Sequence, residues 1–147
     1  MSNKPVIYLA GRMTGLVYSE AKGWRDAITK MLEPEVRVLS PMRGQAASSF
    51  TGDPVSANCN AGFEMSRDMV DIERCDAVLA RFGLDEPVSF GTAIELGTLI
   101  PLRKPAILLI DPADKLMKHP FLLAFPRSTI VHTLEDAAYY IHSMFNV

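Results

Sequence analysis

Three stretches carry residue types that could act together on a substrate. Glu95 closes the run Ser89-Phe90-Gly91-Thr92-Ala93-Ile94-Glu95. Asp68 falls at the edge of an apolar helical stripe made by Met65, Met69 and Ile72. Gly11 and Gly15 bracket Arg12 directly after an apolar run. A carboxylate near the first turn of a helix is favoured in its ionised form by the helix dipole, worth about 0.3–1 kcal/mol at an exposed site. An ionised carboxylate is what attack on the anomeric carbon of a sugar requires. A second acid on the other side of the bond completes the two-carboxylate layout of retaining glycosidic cleavage. Ser89 and the backbone amides of the Gly91–Thr92 turn would face an anionic or hydroxyl group, because helix N-termini suit anions.

These residues need a frame that brings them to one place. Residues 76–110 read as strand, loop, helix and strand, a crossover of the length a parallel sheet requires. Pro5–Ala10 is expected to be a buried first strand, ending in a loop whose glycines allow close backbone approach to a ligand. Ser19 looks like the N-cap of a helix with Trp24, Ala27, Ile28, Met31 and Leu32 on one face. Glu35–Leu39 is a second strand, and residues 40–61 form a long loop of Gly, Pro, Ser and Asn. Gly62–Cys75 is a helix whose Asp71, Arg67 and Arg74 are expected to point away from the stripe. A short helix around Leu116–Leu123, a fifth strand at Thr129–His132 and a last helix capped by Thr133 complete the chain. Five strands alternating with helices predict an α/β three-layer sandwich. The expected fold is flavodoxin-like, with a five-stranded, mostly parallel sheet in the order 2-1-3-4-5. Its switch point between strands 1 and 3 would gather Gly11–Gly15, Asp68 and Ser89–Glu95 into one crevice.

Composition narrows the possibilities. The chain has 147 residues, 48% of them hydrophobic, which suits a single domain over residues 1–147 with a sheet buried on both faces. The formal net charge of −2 gives no basic footprint for a nucleic-acid polymer. No run is long enough for a membrane helix. The start, MSNKPVIYLAG, has no signal-peptide layout, and Cys59 and Cys75 form no CxxC, so a reducing cytoplasm is expected. His119, His132 and His142 show no metal spacing, and no cofactor is implied.

Taken singly, each residue has an ordinary reading too. Thr92-Ala93-Ile94-Glu95 also spells a capping box. Asp68 could be a helix-flank acid, Tyr8 a core residue and Ser89 a simple N-cap. Arg12 could face solvent or a phosphate. Met42, Met65 and Met69 suit core filling.

Together, IYLAGRMTG (7–15), SRDMVDIERCDAVLA (66–80) and SFGTAIELG (89–97) resemble the nucleoside 2-deoxyribosyltransferase superfamily, which includes 2'-deoxynucleoside 5'-phosphate N-hydrolases. The resemblance implies a flavodoxin-like fold and an enzyme that cleaves or exchanges the N-glycosidic bond of nucleosides or nucleotides. It casts Glu95 as the nucleophile that attacks C1', Tyr8 as the residue that orients it, and Asp68 as the acid of leaving-base chemistry and sugar positioning. Gly11 would lie beside the sugar, with Met42 and Arg43 near the base. Members that use free nucleosides are similar in carrying an aspartate six residues before the nucleophile, whereas the nucleotide hydrolases have a serine there. Ser89 matches the hydrolases, with Arg12 as an added cation and His119 where a neighbouring subunit would supply a phosphate ligand. A homodimer or larger homo-oligomer is implied. The departures are Thr14, where the hydrolases carry their loop arginine, and the length of the 40–61 loop. A non-catalytic nucleotide-sensing module on the same fold is the alternative from another class.

Overall fold

The computed structural model describes residues 3–44 and 61–147. Most of the long loop expected over residues 40–61 therefore lies outside the described residues. The elements run β1 (Val6–Gly11), α1 (Tyr18–Leu32), β2 (Arg37–Leu39), α2 (Ala61–Arg74), β3 (Ala77–Phe82), α3 (Phe90–Leu102), β4 (Ala106–Ile110), α4 (Pro120–Leu123), β5 (Ser128–Val131) and α5 (Leu134–Phe145), with a 3-10 turn at Lys115–Lys118 before α4. The sheet has five strands in the order β2-β1-β3-β4-β5, and all four pairings are parallel. This is the flavodoxin-like arrangement expected from the sequence.

Strand alternation decides which side chains meet which helices. Ile7, Leu9, Leu79, Ile107 and Leu109 share a core with Trp24, Ile28 and Leu32 of α1 and with Ala137 and Ile141 of α5. Tyr8, Ala10, Val78, Ala80, Leu108 and Ile110 face the other way, onto Ile72 of α2 and Leu96 and Leu99 of α3. All five residues of β4 are buried, as a central parallel strand covered on both faces requires. Truncating one such Leu or Ile to Ala typically costs about 2–5 kcal/mol.

Two polar ties fix the elements near the site. Lys104, just past α3, points its Nζ at the carbonyls of Ile72 (2.8 Å), Cys75 (2.7 Å) and Glu73, which the end of α2 leaves without helical partners. The buried Asp114 accepts from Leu116 N at 2.8 Å and from Asp85 N at 2.9 Å, joining the loop after β4 to the loop after β3.

Several local expectations change. Helix α1 starts at Tyr18, so Ser19 lies inside its first turn. The Glu20 carboxylate instead reaches back to the N-cap residue, accepting from Val17 N at 3.4 Å. Strand β2 is shorter than expected because it sits at the sheet edge and pairs with β1 over three residues only. Met31 and Met65 are exposed, Met65 by 53%, so neither fills the core. Thr133 does cap α5, accepting from Asp136 N at 3.0 Å. Among the described residues no helix is long and apolar enough to cross a membrane.

Candidate active site

The site is built where β1, β3 and their following loops end. Ser89 is the N-cap of α3, and its hydroxyl accepts from Thr92 N at 3.4 Å. The helix thus begins at Phe90, and the box expected from Thr92 to Glu95 does not form. Glu95 falls in the second turn, beyond the reach of the strongest part of the helix dipole. Its acidity is set by other things. Burial pushes the Glu95 carboxyl up to about 7; the adjoining Tyr8 hydroxyl opposes this, Asp68 adds to it, and Arg25 pulls back. The expectation of a carboxylate favoured by its helix end is therefore overturned, because desolvation exceeds the dipole at this depth.

Tyr8 projects from the middle of β1 on the α2/α3 face and is fully buried. Burial holds its phenol well above the usual tyrosine range, and the charges of Glu95 and Asp68 add to that. It is a neutral donor at every working pH. Tyr8 Oη and Glu95 Oε2 are both buried, and among the described residues both lack a hydrogen-bond partner of regular geometry. Gly91 closes the helix start around Glu95: a Cβ there would lie 3.5 Å from Ser89 Oγ and 3.8 Å from Glu95 Oε1. Ser89, Gly91 and Glu95 therefore share one surface.

Asp68 reaches this group from α2. Burial raises its pKa, and the charge and hydrogen bonds of Arg67 counter that. Arg67 Nε and Nη2 both stand 3.2 Å from Asp68 Oδ1, and Nη2 also donates to the Pro41 carbonyl at 2.6 Å. Arg67 thus does not point away, as its place on the helix wheel suggested. Asp71 is also buried, and it takes a bidentate ion pair from Arg43, with Nη2 to Oδ1 at 2.9 Å. Together these pairs tie the start of the loop after β2 to α2.

The remaining expected residues fall in different places. Gly11 ends β1, and a Cβ there would meet Trp24 Cζ2 at 2.9 Å, so the close approach requires glycine. Arg12 folds its guanidinium over Gly15, whose φ of +79° needs glycine. Met42 is buried beside Leu16 and Ala21. Arg43 is committed to Asp71. His119 is exposed at the start of α4, its ring 6.1 Å from that of Phe121. The structure therefore brings Tyr8, Asp68, Glu95, Ser89 and Gly91 together, while His119 has no contact with them among the described residues. Among the described residues no cluster of His, Cys, Asp or Glu could hold a metal.

One neighbour of the site escaped the sequence. Arg25 lies on α1 in register with Ala21, Ile28 and Leu32, and it is buried to 1% exposure. A cation inside an apolar stripe is the same signal that singled out Asp68.

A model of the nucleoside 2-deoxyribosyltransferase family matches residues 7–144. No curated protein matches the chain. Among solved structures, the CMP N-glycosidase BcmB of Clostridium botulinum is similar in fold at a TM-score of 0.58 and 18% identity, over 97% of this chain and 99% of the other. The molybdenum cofactor binding protein of Rippkaea orientalis is similar at a TM-score of 0.65 and 18% identity, over 99% of both chains.

Proposed function

The chain belongs to the nucleoside 2-deoxyribosyltransferase family, and on that premise we propose that it cleaves the N-glycosidic bond of (2'-deoxy)nucleoside 5'-monophosphates through a glycosyl ester on Glu95. The observation that carries this reading is the convergence of Glu95, Tyr8 and Asp68 from three elements, with the Glu95 carboxyl poised at about 7.

In the first step a Glu95 oxygen bonds to C1' and the C1'–N bond breaks. The electron pair leaves with the base, which takes a proton from Asp68, whose pKa is raised by burial. Tyr8 donates toward Glu95 and holds it in line. In the second step water attacks C1', the Glu95 ester bond breaks, and the water proton passes to Asp68. The products are free base and (deoxy)ribose 5-phosphate. Ser89 favours a phosphate at the sugar 5' end because a neutral hydroxyl at a helix N-terminus accepts an anion without like-charge repulsion. Exposed Phe90 (89%) and Ile94 on α3 support a homodimer that covers them. A cytoplasmic enzyme acting on small molecules fits this chemistry.

The test is product analysis with deoxynucleotides and deoxynucleosides, with and without an acceptor base. Free base and sugar phosphate support hydrolysis. An exchanged nucleoside assigns the chain to base transfer instead. Saturable nucleotide binding with no turnover would identify a sensing module, and full turnover by Glu95→Ala would remove the glycosyl ester.

A further inference from the structure

We propose that Arg25 is a positioning residue of this centre: it pins the Gly11 and Met42 loops from beneath and supplies the buried positive charge that the two site carboxylates face. The inference rests on the reading of Glu95 as nucleophile. It starts from the anomaly of a guanidinium in the stripe of α1. A buried charge is expensive, and an apolar side chain of similar size would pack at least as well.

The contacts of Arg25 are directed. Nη2 donates to the Gly11 carbonyl at 3.0 Å, at the last residue of β1. Nη1 donates to the Ala21 carbonyl and to Met42 Sδ at 3.7 Å. The Cζ atom lies 4.6 Å from the centre of the Trp24 ring. Nε is buried without a partner. These acceptors are neutral, and among the described residues no carboxylate forms an ion pair with Arg25. Its charge is balanced across space instead, by Glu95 of α3 and Asp68 of α2, while Arg81 of β3 opposes it. The groups facing Glu95 are correspondingly Tyr8, Asp68 and Arg25. Arg25 is the cation among them. The fork also ties together two segments far apart in sequence, the end of β1 and the start of the loop after β2.

The experiment follows the Glu95 carboxyl directly, by carbon-detected NMR titration of the full chain without substrate, with the resonance assigned from the Glu95→Gln spectrum. Arg25→Met and Arg25→Gln remove the charge. Each is expected to move the Glu95 midpoint up by about one pH unit, with native circular dichroism. Arg25→Lys keeps the charge and is expected to leave the midpoint in place. A folded neutral variant that titrates with the parent overturns the proposal. An upward displacement in the lysine variant, which keeps the charge, overturns the proposal equally. The acid limb of kcat/KM should follow the NMR midpoint. Because the midpoint is read without substrate, its displacement in a protein that turns over no nucleotide would uphold the role of Arg25 and remove only the proposed activity.

Discussion

Tyr8 from β1 and Glu95 from the second turn of α3 adjoin one another, each with a buried oxygen that has no hydrogen-bond partner of regular geometry among the described residues. The phenol favours the carboxylate, so removing it should disfavour ionisation. Tyr8→Phe is expected to raise the Glu95 midpoint above its present value and to lower turnover about 10- to 100-fold, the worth of a hydrogen bond to a charged group. At pH 8 stability should fall too, since the Glu95 carboxylate loses the donor that lowers its pKa. A pH–rate profile beside a urea titration checks both halves.

The parent protein should show its own acid limb. Attack requires the carboxylate, and burial places that carboxyl at about 7 instead of its ordinary 4.5. The free-enzyme kcat/KM should therefore be bell-shaped, with one limb near neutrality from Glu95 and the other where Asp68 loses the proton that the base takes. A limb close to the ordinary glutamate value would mean that Glu95 is solvated during the reaction.

The same displacement has a thermodynamic counterpart of definite sign. Between the unfolded value of 4.5 and the folded value of about 7, the folded protein holds a proton that the unfolded chain has released. Stability is then fully present below the lower value and declines as pH rises through the higher one. Glu95→Gln cannot ionise and should escape the decline, becoming more stable than the parent by about 1–3 kcal/mol at pH 8 and equal to it at pH 4. Denaturant midpoints at the two pH values decide this, and equal parent and variant curves at pH 8 would contradict it.

Ser89→Asp should keep the helix start, because aspartate caps as well as serine. It also places a negative charge where the 5'-phosphate is proposed to lie. The expected result is a fall of about tenfold or more in kcat/KM for a deoxynucleotide, with little loss for the matching deoxynucleoside. Equal losses on both substrates would put the phosphate elsewhere.

Lys104→Met removes the cation from the three carbonyls at the end of α2. The loss should be about 1–3 kcal/mol of stability, read in urea, with the acid limb of the rate profile unmoved.

The sheet was legible because its strands are short apolar runs at crossover spacing and Thr133 marks a helix start plainly. The α3 start had two readings, of which Ser89 as an N-cap held and the Thr92–Glu95 capping box did not. Thr92 and Glu95 imitate a capping box, yet Ser89 stands earlier and its hydroxyl reaches Thr92 N first. That shift of three residues moved Glu95 from the dipole-dominated first turn to a depth where burial governs it. The buried pairs on α2 were hidden for another reason. Asp71 and Arg67 look solvent-facing on a helix wheel, but their partners Arg43 and Pro41 come from a loop that the wheel does not contain. Arg25 carried the signal of a cation in an apolar stripe, but its acceptors Gly11 and Met42 belong to other segments.

Asp114 draws one carboxylate across two successive loops, holding Asp85 N and Leu116 N together. Any exchange of substrate preference by grafting must therefore transplant the segments after β3 and β4 as a matched pair. A relative's version of either one alone would arrive without its anchor, and its first symptom would be a misplaced Ser89 more than a lost fold.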